Sequence, residues 1–211
     1  MSVVGIVPAG GSGERLGADR PKAFVVCAGR PLIEWSLDTL SAVCDRIVVA
    51  APEGYDDGPD RVRGGDSRSA SVRNALAAAP EAEIAVVHDA ARPLATRELF
   101  ERCVAALEPG VDGAIAAVPM TDTVKQAASD GRVLRTLDRS ALWSIQTPQV
   151  FRADILRSAL TRDAAALAAA TDDAMLVEEM GGTVRVVESF PENLKVTRKS
   201  DLRIAEALLA D

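Results

Sequence analysis

The sequence predicts an α/β fold in which a mostly parallel central sheet is covered by helices on both faces. Three observations carry that expectation. Short apolar runs, several rich in β-branched residues, lie at 3–8, 46–51, 84–88 and 113–118 and alternate with helical stretches. Continuous apolar strands of this kind belong to sheets buried on both faces. Aromatic residues make up only 3% of a chain that is 48% hydrophobic, so alanine, valine and leucine must fill the interior. At 211 residues the chain is long enough for one domain with its own core.

Each element follows from local pattern. Residues 3–8 run into a glycine-rich loop. The stretch 31–43 sets Leu32, Trp35, Leu37, Leu40 and Val43 on a mostly helical stripe. Strand 46–51 leads into a Gly/Asp/Pro-rich stretch over 52–66, and 67–79 reads as helix. A buried strand covers 84–88. Thr96 is placed to cap a helix through Leu107, with Glu98 in its first turn. After strand 113–118 the pattern changes: segments 121–126 and 132–137 flank the turn Ser129-Asp130-Gly131. A hairpin with so little apolar content cannot build its own core, so it is either solvated or packed on another subunit. The alanine run 164–170 reads as helix, 184–187 as strand and 200–209 as a capped helix. Ligands of such sheets gather beyond the carboxyl ends of the strands. The segments after Val7, Val87 and Val118 are therefore expected to meet at one site.

Composition narrows the function. A net charge of −7 argues against a nucleic-acid partner, whose phosphates call for a basic excess. Cys27, Cys44 and Cys103 are scattered and lack metal-ligand spacing, which reads as buried thiols in a reducing compartment. No apolar run approaches the ~20 residues of a membrane span, and the first residues lack the basic start of a signal peptide. A cytoplasmic protein without membrane contact is expected.

Five segments carry candidate chemistry. The first runs Pro8-Ala9-Gly10-Gly11-Ser12-Gly13-Glu14-Arg15-Leu16-Gly17 and continues to Pro21-Lys22. Glycines after a first strand let backbone N–H groups approach a phosphate. The stretch matches neither a Walker A loop nor GxGxxG, and a plain turn with two solvated cations also fits it. The second, Gly64-Gly65-Asp66-Ser67-Arg68-Ser69-Ala70-Ser71-Val72, suits simple helix capping or the presentation of N–H and hydroxyl groups to a base or ribose. In the third, Val86-Val87-His88-Asp89-Ala90-Ala91-Arg92-Pro93, Asp89 leaves a buried strand at the ligand edge. It could hold Mg²⁺ on a triphosphate or clasp Arg92. His88, the only histidine, reads as a satisfied structural residue rather than a base. The fourth spans Asp122-Thr123-Val124-Lys125 and Asp138-Arg139, at the two ends of the hairpin; the fifth is Asn193-Leu194-Lys195-Val196-Thr197. No Ser-His-Asp set, glycosidase carboxylate pair or zinc site can be assembled. Phosphoryl chemistry without an enzyme base fits this inventory, because a phosphate monoester is already mostly a dianion at pH 7.

In order, PAGGSGERLG with PK, GGDSRSASV, VHDAARP, DTVK, DR, LWSIQTPQVF, TDDA and NLKVT resemble the 2-C-methyl-D-erythritol 4-phosphate cytidylyltransferases across nearly the whole chain. The resemblance implies a single Rossmann-like domain of the nucleotide-diphospho-sugar transferase type over 1–211, with a dimerisation arm at about 119–142. It implies Mg²⁺-dependent transfer of CMP from CTP to the polyol phosphate, with release of pyrophosphate. Arg15, Lys22 and Lys195 would stabilise the transition state. Ala9, Gly10, Gly11 and Gly13 would lie against the triphosphate, and Gly65, Asp66 and Ser71 would contact cytosine and ribose. Asp89 would serve the metal. Arg92, Thr123, Arg139 and Thr147 would surround the polyol phosphate, the hairpin pair reaching in from a second subunit of a homodimer. Relatives often carry alanine at the place of Gly10 and a cation or neutral residue at that of Glu14. Two other readings stay open: a ribitol 5-phosphate cytidylyltransferase, and a noncatalytic nucleotide-binding protein on the same fold.

Overall fold

The computed structural model describes residues 1–210. The chain opens with β1 (Val3–Pro8), a two-stranded ribbon of β2 (Val26–Cys27) and β3 (Arg30–Pro31), and helix α1 (Leu32–Ser41). Then come β4 (Arg46–Ala51), β5 (Arg61–Arg63), α2 (Arg68–Ala77), β6 (Ile84–Val87), α3 (Arg97–Ala105) and β7 (Gly113–Pro119). A hairpin of β8 (Lys125–Ala127) and β9 (Val133–Thr136) precedes β10 (Trp143–Arg152). Helices α4 (Ala153–Ala159), α5 (Ala164–Ala169) and α6 (Asp173–Glu178), strand β11 (Val184–Glu188) and helix α7 (Lys199–Ala210) complete the order.

Seven strands form the central sheet in the order β11-β7-β10-β6-β1-β4-β5. All neighbours pair parallel except β10, which runs antiparallel to both β6 and β7. The predicted mostly parallel sheet is therefore present, with one strand the pattern had not disclosed. Strand β10 contains Pro148, which removes a ladder donor, and its inner residues Gln146, Thr147 and Gln149 are polar although buried. Its pairing with β7 shifts register between Ile145 and Gln149. Neither feature looks like a central strand in sequence. Strand β5, only three residues long at the sheet edge, and helices α4 and α6 were likewise not foreseen.

Alternate residues of β1 face opposite layers, as the period of two requires. Val4 and Ile6 pack with Val72 and Leu76 of α2 and Leu156 of α4; Val7 packs with Ile33 and Leu40 of α1 and Leu99 and Phe100 of α3. Small side chains bring the layers close. A Cβ at Gly113 would stand 2.7 Å from the Phe151 ring, so β7 and β10 approach there as only glycine permits. Ser67 caps α2 and Thr96 caps α3, each accepting a backbone N–H three residues on. The hairpin forms around Gly131, whose φ of +85° suits the turn, and all residues of β8 and β9 are exposed.

Phe151 is fully buried in the layer that α2 and α4 cover. Phe151→Ala should cost about 3–5 kcal/mol of unfolding free energy, read from urea melts. A loss under 1 kcal/mol would show that this layer is loosely packed.

Candidate active site

A cleft of about 330 Å³ opens above the carboxyl ends of β1 and β6. Its walls come from four places in the chain. The loop after β1 contributes Ala9, Gly10 and Gly11, then Arg15 and Lys22. The start of α2 adds Gly65, Asp66, Arg68 and Ser71; the turn after β6 adds Asp89; and Lys195 arrives from the segment before α7. A second hollow of about 240 Å³ shares Gly11, Arg15 and Lys22 and extends along Gly13, Glu14 and Thr197.

Glycine is needed in both backbone walls. Gly13 adopts φ +79°, and a Cβ there would lie 2.8 Å from the Arg20 carbonyl. A Cβ at Gly65 would lie 2.5 Å from Ala70, and the Gly65 N–H donates to Ser71 Oγ at 3.0 Å. The Lys22 N–H donates to the Gly11 carbonyl at 2.8 Å, which folds the loop back and sets the lysine over it.

Charge dominates the cleft. Burial, then the nearby Lys195 ammonium, pushes Lys22 down to about 8, while Asp89 pulls the other way. Asp89 is 7% exposed. Burial alone would raise its carboxyl, but Arg68, Lys195 and Arg92 together hold it well below the usual carboxylate range. Its oxygens stand 3.1 Å from Arg68 Nε and 2.7 Å from Lys195 Nζ, with Arg92 Nε farther off at 3.9 Å. The Asp89–Arg92 clasp, the alternative to a metal role, is thus the longest of three pairs. Arg68 Nη1 also reaches Asp173, fully buried, at 2.5 Å.

Behind Asp89 lies a buried polar layer. Its N–H donates to Thr147 Oγ1 at 3.0 Å, and that hydroxyl meets His88 Nδ1 at 3.0 Å. His88 Nε2 faces the Arg92 carbonyl at 3.3 Å. Complete burial pushes His88 down to about 4, so the ring is neutral at pH 7, with its proton on Nε2 for the carbonyl. Buried at 0% exposure with both nitrogens engaged, His88 is structural, as expected.

The cleft therefore gathers Ala9, Gly10, Gly11, Arg15, Lys22, Gly65, Asp66, Ser71, Asp89 and Lys195, and Gly13 lines the adjoining hollow. It does not gather the rest. Arg92 and Thr147 are 8% and 4% exposed, beneath the floor rather than in the wall. Thr123 and Arg139 sit exposed at the base of the hairpin, where Arg139 donates to the Thr121 carbonyl. The expectation that the segment after Val118 joins the site is corrected: β7 runs out into the hairpin, and no residue of 119–142 lines the cleft.

For a metal, the wall offers two carboxylates, Asp66 and Asp89. Among the described residues no cluster of three or more His, Cys, Asp or Glu forms a cage. Asp89 keeps lone-pair directions beyond those serving Arg68 and Lys195. That donor set fits Mg²⁺ arriving on a polyphosphate, which needs one or two carboxylates and takes its other ligands from phosphate and water.

The sequence model described as 2-C-methyl-D-erythritol 4-phosphate cytidylyltransferase matches residues 3–211. The chain belongs to this family. Two relatives bearing that name, from Frankia casuarinae and Nocardia farcinica, are each 44% identical to this chain. Both alignments cover 99% of this chain, with 81% and 94% of the respective relatives. The crystal structure of the Thermus thermophilus cytidylyltransferase superposes with a TM-score of 0.85 at 33% identity, each chain covered fully. A 4-diphosphocytidyl-2C-methyl-D-erythritol synthase from Anaerococcus prevotii gives 0.84 at 30% identity.

Three residues of this family site were not singled out from sequence: Arg68, Asp173 and the side chain of Asn193. Arg68 opens helix α2, where a cation opposes the helix dipole. That misplacement is the legible signal, and its cause is a pair of carboxylates, Asp89 and Asp173, from distant segments. Asp173 follows the capping Asp172, and nothing local distinguishes the half-buried cap from the fully buried partner.

Lys22 is the charged form below about pH 8 in the free chain, so a role for its ammonium gives an alkaline limit. kcat/KM should fall as pH rises through about 8, and Lys22→Arg should move that limb upward while lowering the plateau. An unchanged limb in Lys22→Arg would assign it to another group.

Proposed function

We propose that this chain transfers CMP from CTP to 2-C-methyl-D-erythritol 4-phosphate and releases pyrophosphate. The observation that carries the reading is the convergence of Arg15, Lys22 and Lys195 on one glycine-walled cleft of a chain whose net charge is −7. Family membership and the printed activity of its relatives support the same reaction.

The chemistry follows from the inventory. The acceptor phosphate, with a second pKa near ~6, is mostly dianionic at pH 7 and attacks the α-phosphorus in line with the departing pyrophosphate. No proton need be removed, which agrees with a cleft whose neighbouring histidine is sealed and neutral. Two anions approach one another, so the enzyme's work is positioning and charge compensation. Arg15, Lys22 and Lys195 supply that charge. Ala9, Gly10, Gly11 and Gly13 line the path of the triphosphate, while Gly65, Asp66 and Ser71 form the nucleoside side. Asp89, with water, would hold Mg²⁺ carried by CTP. The bound cation would neutralise charge on the phosphate oxygens.

For the acceptor, Arg92 and Thr147 shape the floor, and Thr123 and Arg139 act from the arm of a partner subunit in a homodimer. Exposed Val133 and Leu134 on the arm, 56% and 51% accessible, support its packing on a second chain. A cytoplasmic location agrees with three free cysteines and with the lack, among the described residues, of any helix long and apolar enough to cross a membrane.

With Mg²⁺ and CTP, pyrophosphate should be released on addition of methylerythritol phosphate and not of ribitol phosphate. Lys22→Ala and Lys195→Ala should each lower kcat about 10²–10³-fold in a chain that stays folded. Release with ribitol phosphate alone would reassign the acceptor, and none with either would overturn the reading. The arm makes a separate prediction. Lys22→Ala and Arg139→Ala chains, each inactive, should recover about a quarter of wild-type activity when mixed and re-paired at random. Absence of recovery, or a fully active monomer, would place Arg139 in its own chain's site or outside it.

A further inference from the structure

Lys195 lies in a segment without regular structure, and its side chain is 39% exposed. Its direction is set by Asp89 and by the backbone on either side. Asn193, two residues before it, and Val196, the residue after it, are completely buried. The Val196 N–H donates to the Ala91 carbonyl at 2.8 Å. Asn193 Nδ2 donates to Gln146 Oε1 at 2.8 Å and to the Thr147 carbonyl at 3.0 Å. Two acceptors on one NH₂ group fix the amide's orientation. The Asn193 carbonyl in turn accepts from Arg92 Nη1 at 2.6 Å. One residue thereby ties the Lys195 segment to the inner end of β10 and to the turn after β6 that carries Asp89.

We infer that Asn193 is a positioning residue that holds Lys195 over the cleft. Asn193 is absent from the cleft wall and holds the Lys195 segment from behind it. Without the clamp the segment gains freedom between its anchor at Val196 and the strand behind it, and the ammonium loses its set position. Displacement of a charge-stabilising group by about 1 Å costs up to ~10²-fold in rate. The inference rests on the proposed charge-stabilising role of Lys195.

The test is a double-mutant cycle in the full chain. Asn193→Ala should lower kcat about tenfold or more, leaving KM for CTP within about twofold. On the Lys195→Ala background the same change should cost nothing further, because the group it positions is gone. Gln146→Ala, which removes one acceptor and keeps Asn193, should give a smaller loss in kcat that is also silent on that background. It decides the matter if Asn193→Ala does not fold. A normal kcat in the single variants, or losses that multiply with Lys195→Ala, would overturn the inference by making Asn193 a general structural residue. A wild-type rate in Lys195→Ala alone would instead remove the role of the lysine itself, and this inference with it.

Discussion

The cleft depends on one carboxylate. Arg15, Lys22, Arg68 and Lys195 line one cleft with Arg92 beneath it, and Asp89 offsets them. Two like charges 4 Å apart repel by about 4 kcal/mol at an effective dielectric near ~20, so such a group cannot be left uncompensated. The depressed pKa of Lys22 records the repulsion and burial that remain. Buried ion pairs contribute little net stability, since desolvation consumes much of the attraction. The Arg68–Asp89–Lys195 set is better understood as charge balance that keeps an anion site assembled before the anion arrives.

Around that carboxylate the backbone is held by buried polar groups that bond to one another, with Asn193 Oδ1 and Arg92 Nε left without a hydrogen-bond partner. His88 serves Thr147 and the Arg92 carbonyl, Thr147 serves the Asp89 N–H, and Asn193 serves Gln146, Thr147 and Arg92. The turn after β6, the middle of β10 and the segment before α7 are thus joined by buried links. In a low-dielectric interior such a network is rigid when its members are paired and costly when one is removed.

Architecture explains the division between the two halves of the site. The cleft half comes from the carboxyl ends of parallel strands, where β1 and β6 deliver the glycine loop and Asp89 side by side. The arm departs at β7 and carries Thr123 and Arg139 away from their own cleft, on a hairpin that buries none of its β residues. A chain of this shape gathers the cations of its cleft by itself and carries Thr123 and Arg139 outward.

The parallel strands, the helix caps and the glycine walls could be read from residues alone, because each follows from a local rule: period, capping chemistry, or space for a Cβ. Ser67, Thr96 and Gly13 do in the fold what their neighbours in the chain imply. The cations of the cleft were legible as types in ordered motifs, since phosphate chemistry needs them whatever their distances. Only the tertiary structure decided β10, whose buried polar residues find partners 23 to 59 positions away while Gln149 Oε1 finds none, and the pairing of Arg68 with Asp89 and Asp173. It also decided that Arg92 and Thr147 lie under the cleft floor rather than in its wall. The physical reason is the same in each case. A polar group is buried only where a distant segment pairs with it, and no local pattern in the chain announces that partner.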